Sequence, residues 1–393
     1  MLMGTVISQD KYWVFFQDKG DVGQWNIESL LSPAAIDNRL SQGILPDESD
    51  FPVWPAYIRA VESIGAEHVN SSRWLNAISV RMRPEQLSAV SALPCVKEIR
   101  PVAVYAHTTG LEAACPEEPD TSSLQLSMLG LDWLHASGYD GRGVKIAVFD
   151  NGFFRVNELA AFAPLFTQNR ILATRDYVDR DETLYHSCGH CRHGTYVFSI
   201  LAADKSSGLT GSAPGASYIL LRTENDSSET HREEDNWIAA AEFADSLGAQ
   251  VFTTSLGYSV FDPGQGDYSF ADLDGNTALI TRAADMAAAK GIVVVNSAGN
   301  NGTDGLNAPA DGDSVLAIAS VDLCGQLSDF SSRGPSGDGR IKPDLAARGE
   351  RTFYVNHQGV LLQGNGTSFS CPLISGLAAC LIQAHPYAGA SAI

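Results

Sequence analysis

Three residues beside glycines carry the side chains that acyl-transfer chemistry requires: Asp150, His193 and Ser368. Ser368 lies in Gly364-Asn365-Gly366-Thr367-Ser368-Phe369-Ser370-Cys371-Pro372, just before an apolar run predicted as a helix over 372–384. A serine in that place presents its hydroxyl beside the unpaired N–H groups of a first helical turn, which stabilise a developing anion. Asp150 follows the apolar strand predicted over 144–149 and turns on Asn151-Gly152, so its carboxylate points out of a strand's carboxyl end. His193 opens His193-Gly194-Thr195 and an apolar helix predicted over 193–203; His186 and His190 are not followed by such a Gly-Thr. Taken singly, these are a turn aspartate, a structural histidine and a helix cap. Taken together, in the order Asp, His, Ser and each at an element terminus, they match one chain order of a serine hydrolase triad.

The elements that must hold them alternate. After about residue 123, strands predicted at 217–221, 251–254, 292–296 and 315–321 are separated by helices at 236–247 and 277–289. The expected domain is α/β with a mainly parallel sheet and functional residues at the strands' carboxyl ends. Residues 11–105 read differently: a strand at 12–16, a helical piece at 33–40, and a helix over 55–64 with Tyr57, Ile58, Val61 and Ile64 on one face. A short strand near 68–69, a strand at 74–80, a helix at 84–93 and a strand at 96–105 follow. That order is a split βαβ, ferredoxin-like α+β unit. Between the two, residues 106–122 are rich in Pro, Glu, Thr and Ser and predict an exposed, cleavable linker.

The 393 residues, 44% hydrophobic and 18% charged, indicate a globular chain, and the net charge of −20 excludes a nucleic-acid backbone as partner. The surplus of carboxylates reads as a solvated surface. It also suits calcium, but no ordered Asp-x-Asp-x-Asp-Gly loop supports a structural calcium site, and no cofactor is required by the chemistry above. No stretch approaches the ~20 apolar residues of a membrane span. Residues 1–10 read either as the remnant of a signal peptide or as an ordinary N-terminus. Seven cysteines at scattered positions form no disulfide framework. Cys188-Gly189-His190-Cys191 has zinc-like spacing, but binding His193 to a metal would remove the general base; a local disulfide or two free thiols fits better.

The three motifs resemble those of the subtilisin-like serine peptidases, the subtilases. Further segments agree: Gly211-Ser212-Ala213-Pro214-Gly215-Ala216, Ser255-Leu256-Gly257, the run 293–300 ending Asn296-Ser297-Ala298-Gly299-Asn300, and Phe330-Ser331-Ser332-Arg333-Gly334. The resemblance implies a subtilisin-like peptidase domain over 123–393 preceded by an inhibitor-type propeptide over 11–105. It implies Ser368 as nucleophile, His193 as base, Asp150 as its orienting partner and Asn300 as oxyanion donor. Ser255, Leu256, Gly257, Ser297, Ala298 and Gly299 would bind an extended protein or peptide substrate. The implied protein is a self-inhibited serine endopeptidase, secreted or held in a bacterial cell envelope, whose partners are its substrates and its own propeptide. A noncatalytic subtilase-like binding module is the competing reading. The chain departs from the family pattern at Ala347-Arg348-Gly349, where Ala-Pro-Gly is usual, and at Tyr196, where many members have a second histidine. It ends 25 residues after Ser368, which suggests truncation at the C-terminus.

Overall fold

The computed structural model describes residues 10–102, 121–181, 184–186, 191–225 and 228–393. Residues 1–9, the predicted strand end at 103–105 and nearly all of the linker lie outside them. In the N-terminal unit, strands β1 (Asp10–Phe16), β2 (Glu67–Ser72), β3 (Ala77–Met82) and β4 (Val96–Val102) form a sheet ordered β2-β3-β1-β4, with antiparallel pairs throughout. Helices α1 (Pro33–Ser41), α2 (Pro55–Glu62) and α3 (Leu87–Ser91) complete it. The expected face of α2 is the buried one: Val61, with Tyr57, Ile58 and Ile64, packs on Val14, Val80 and Val90.

One prediction shifts. The strand expected at 74–80 begins at Ala77, because residues 73–76 turn and Asn76 takes a left-handed φ of 49°. Trp74 is apolar for another reason. With Trp13 and Phe15 it is buried in a cluster shared with the larger unit.

That larger unit follows short helices α4 (Leu124–Ser127) and α5 (Leu131–Ala136). It contains β5 (Lys145–Asp150), α6 (Ala163–Thr167), β6 (Ile171–Asp176), α7 (His193–Ala202), β7 (Ser217–Arg222), α8 (His231–Ser246) and β8 (Val251–Thr254). Next come α9 (Leu279–Ala289), β9 (Val293–Ser297), β10 (Val315–Val321), β11 (Leu345–Arg348), the hairpin β12 (Thr352–Val355) and β13 (Leu361–Gly364), and α10 (Thr367–Ala384). Seven strands pair in parallel in the order β11-β10-β9-β8-β5-β7-β6. β5 is apolar throughout its middle because it is covered on both sides: Val148 packs with α7 and α10, Phe149 with α8 and α9. Asp150 is the last residue of that central strand.

Two helices begin earlier than their apolar periodicity predicts. α8 starts at His231, where Thr230 and Glu233 form a capping box. α10 starts at Thr367, so Ser368 lies within the helix's first turn and Pro372 inside it. Pro372 has no N–H for the carbonyl of Ser368; the Ser255 hydroxyl donates to that carbonyl instead, at 2.9 Å. By length and composition α10 could cross a membrane, yet 72% of it is buried, as befits a core helix. Strands β6, β11, β12 and β13 were not predicted; they are short, at the sheet edge or in a hairpin, and lack a continuous apolar run.

The N-terminal unit sits on α8, and here the solvated-carboxylate expectation fails. Glu233, Asp235, Glu242 and Asp245 are buried on that helix. Glu242 accepts from the Ser72 hydroxyl and the N–H groups of Arg73 (2.8 Å) and Trp74 (3.2 Å). Asp235 pairs with Lys11 and accepts from Ser79 Oγ at 2.7 Å. Asp245 binds Arg73 (2.5 Å) and Arg39 (2.6 Å), and Arg39 also holds Asp50 at 2.7 Å. Charges taken from water must be paired; the N-terminal unit supplies the partners of Asp235, Glu242 and Asp245, while Glu233 accepts from Thr230 of its own helix cap.

Burial pushes the Glu233 carboxyl from its ordinary 4.5 up to about 7. A raised acid binds its proton more tightly when folded, so its favourable contribution is full below about pH 4.5 and is lost as pH rises through 7. Glu233→Gln is therefore expected to gain melting temperature relative to the parent as pH rises from 5 to 8. A pH-independent difference in paired thermal melts would refute this.

Candidate active site

Asp150 is fully buried at the end of β5, with Oδ1 accepting from the Asn151 N–H at 2.8 Å. The same oxygen lies 2.8 Å from His193 Nδ1, and the imidazole side chain is 33% exposed. That hydrogen bond puts the proton on Nδ1 and turns Nε2 toward the opening. The glycine after the histidine makes the approach feasible: a Cβ on Gly194 would sit 2.4 Å from the Gly152 carbonyl oxygen and 2.8 Å from Asp150 Cβ. The Gly194 N–H donates to Asn151 Oδ1, and the Asn151 carbonyl accepts from Arg222 Nε at 3.0 Å, so the turn after β5 is tied to both neighbours.

Ser368 is 8% exposed and borders the same cavity as His193, about 830 Å³ in volume. Gly366 precedes it with φ 151°, and a Cβ there would lie 2.9 Å from Ser368 Oγ, so both backbone and space require glycine. Beneath this turn, Gly349 accepts from the Gly366 N–H at 2.8 Å, and a Cβ on it would strike Ser370 and Ser320. The unusual Arg348 beside it is buried; its guanidinium donates to the carbonyls of Glu350 (3.1 Å) and Arg351 (2.8 Å). The loop therefore keeps its approach to Ser368 without the proline.

Asn300, exposed at the cavity's rim, accepts at Oδ1 from the Thr367 N–H (2.9 Å) and hydroxyl (3.0 Å). With Oδ1 committed, Nδ2 is the end presented to the cavity. Thr367 is thus an orienting residue that sequence reasoning missed; its place next to Ser368 was the signal.

Ser255, Leu256, Gly257, Ser297 and Gly299 also line this cavity, but Ala298 is fully buried behind it. A second cavity, about 560 Å³, continues past His193 and is bordered by Arg192, Tyr196, Glu224 and Glu229. Tyr196 is hydrogen-bonded to His357 Nδ1 at 2.8 Å, which gives the position of the absent second histidine a packing role. Cys191 is disulfide-bonded and so offers no thiolate to a metal; Cys188, Gly189 and His190 lie outside the described residues. Among the described residues no group of three or more His, Cys, Asp or Glu is placed to hold a metal ion.

A parallel α/β sheet with Asp, His and Ser at its carboxyl edge, and an amide at the rim, defines a serine hydrolase of subtilisin-like architecture. The model of the subtilase family, peptidase S8, matches residues 141–393, and that of a Bacteroidota peptidase S8 propeptide domain matches residues 11–114. The chain belongs to the subtilase family and is a serine endopeptidase carrying a propeptide domain. It is 29% identical over 274 residues to subtilisin DY of Bacillus licheniformis, covering 68% of this chain and 87% of that one. It is 32% identical over 245 residues to thermitase of Thermoactinomyces vulgaris, covering 62% and 76%. The fold is shared with the solved structure of the prenylagaramide maturation protease PagA, at a TM-score of 0.51 and 24% identity over 65% of this chain and 82% of that one.

Proposed function

We propose that Ser368, His193, Asp150 and Asn300 carry the peptidase reaction. His193 Nε2 takes the proton of Ser368 Oγ as that oxygen attacks the scissile carbonyl, then delivers it to the leaving amine. Asp150 keeps the tautomer and stabilises the imidazolium. Asn300 Nδ2, with the backbone N–H of Ser368 in the first turn of α10, receives the oxyanion. The acyl-enzyme is then hydrolysed by water through the same base. The observation that carries this reading is the 2.8 Å pair of buried Asp150 with His193, which borders the same cavity as Ser368. An extended substrate would pair with the backbone of 255–257 and 297–299 as an added strand.

We further assign residues 11–105 to a propeptide domain, 106–122 to the linker that is cut, and 123–393 to the peptidase domain, with the protein working outside the cytoplasm or in the cell envelope. Docking of the N-terminal unit on α8 supports a chain made as a self-inhibited zymogen.

A fluorophosphonate probe is expected to label Ser368 in the matured protein. No label in a folded sample cut between its two units would refute the assignment. Asn300→Ala is expected to lower kcat by about 10²–10³, or 2.7–4 kcal/mol of barrier, with little change in KM. A change confined to KM would place Asn300 in binding alone.

A further inference from the structure

The Asp150 bond fixes the Nδ1 edge of the His193 imidazole, but the torsion that sets the tilt of a histidine ring is soft. A restraint on the ring's face comes from the other side of the site. Phe369, next to the nucleophile in α10, stacks on His193 with ring centroids 6.4 Å apart and planes inclined by 21°. Tyr354 of β12 stacks in turn on Phe369, at 5.1 Å and 22°. Both separations fall within the ~4.5–7 Å over which aromatic rings attract.

The stack continues into the scaffold. Tyr196, one turn after His193 on α7, lies 4.9 Å from Tyr354, and its hydroxyl is hydrogen-bonded to His357 Nδ1. The His357 ring packs at 5.7 Å on Phe154, whose carbonyl accepts from Thr195 Oγ1 at 2.9 Å and whose N–H bonds the Cys191 carbonyl at 3.3 Å. The aromatic arc thus leaves His193 through Phe369 and returns to the chain two residues before and two residues after it. The hairpin that carries Tyr354 and His357 is fastened to α7 as well, because the Val355 N–H donates to Ser199 Oγ at 2.8 Å. Gly364, at the end of β13, leaves the space: a Cβ there would lie 2.6 Å from Phe369 Cε2 and 3.0 Å from Tyr354 Cε1.

Resting on the peptidase reading above, we propose that Tyr354 and Phe369 are positioning residues for His193. Their stack keeps the imidazole at the tilt that Nε2 needs to meet Ser368 Oγ, and the hairpin β12–β13 is the brace that holds the stack. Among the described residues that line the two cavities at His193, Tyr354 and Phe369 do not figure, so the pair acts through His193 rather than on a substrate. Proton transfer demands such alignment: a misplacement of ~1 Å costs about 10²-fold in rate. Loss of the stack therefore appears in kcat and leaves KM in place.

The test uses full-length protein cut between its units and one fluorogenic peptide. Turnover is counted per Ser368 labelled by a fluorophosphonate at completion, so misfolded molecules do not enter it. Tyr354→Leu, which removes the ring behind Phe369, is expected to lower kcat about tenfold with KM within about twofold of the parent. Phe369→Leu, which removes the face itself, should lower kcat further, toward about 10²-fold. Tyr354→Phe keeps the ring and should keep the parent's kcat. The proton resonance of the Nδ1–H···Oδ1 bond should broaden in both leucine variants and stay sharp in Tyr354→Phe, a contrast that a general loss of stability would not produce. Unchanged kcat in both leucine variants overturns the proposal, as does a Tyr354→Phe protein as slow as Tyr354→Leu, or a loss confined to KM. If the parent cleaves no peptide and Ser368 takes no label, the peptidase reading itself falls and the role of the stack with it.

Discussion

Ser368→Ala is expected to reduce peptide hydrolysis by about 10⁶-fold and to stop cleavage of the chain's own linker. The magnitude follows from how the groups act together: without Oγ, the His193–Asp150 pair has no proton to move, and only binding and the oxyanion site remain. Structural loss does not explain such an effect here. The position is held by its backbone, through the Ser255 hydroxyl on its carbonyl and the turn at Gly366, and neither uses Oγ. Hydrolysis of a fluorogenic peptide, with thermal melts to verify folding, supplies the measurement. Residual activity within a hundredfold of the parent would refute Ser368 as nucleophile. Continued cleavage at 106–122 in the purified variant would refute self-processing.

The second large effect is expected at Arg39, far from the chemistry. Its side chain is 1% exposed and binds Asp50 of its own unit and Asp245 of α8. Removing one member of a buried ion cluster leaves the others charged and unsolvated, at a cost of about 3–5 kcal/mol. Arg39→Met keeps much of the volume and removes the charge, so it isolates that cost. Measured on the uncleaved Ser368→Ala protein, it should lower stability by about that amount, and adding Asp50→Asn should restore part of the loss, whereas Asp245 keeps its pair with Arg73. A loss below about 1 kcal/mol would mean that the cluster is no stronger than a surface pair.

Arg39 also shows what local pattern does not encode. Its helix was legible as a helical piece at 33–40, but the chain's surplus of carboxylates was read only as a solvated surface, without marking those of α8. Burial of Asp245 depends on a residue 206 positions away. The same holds for Trp74, which local pattern placed in a strand core and tertiary contact placed in the interface. α8 and α10 began earlier than predicted because capping at Thr230 and the Ser255 contact act where hydrophobic periodicity is silent.

The sequence by itself carried the proposed chemistry: Asp150, His193 and Ser368 sit at element ends, each within two residues of a glycine. Gly194 and Gly366 are needed because a Cβ would enter the space of Asp150 or of the Ser368 hydroxyl. It also separated an N-terminal antiparallel region from a region of parallel strands, since the order of elements differs between them. Only the tertiary structure decided which way the Asn300 amide faces and which carboxylates are buried. Each of these depends on hydrogen bonds or packing between segments that no local periodicity relates. Asn300 is oriented by Thr367, 67 positions along the chain, and Asp245 is paired with Arg39, 206 positions before it.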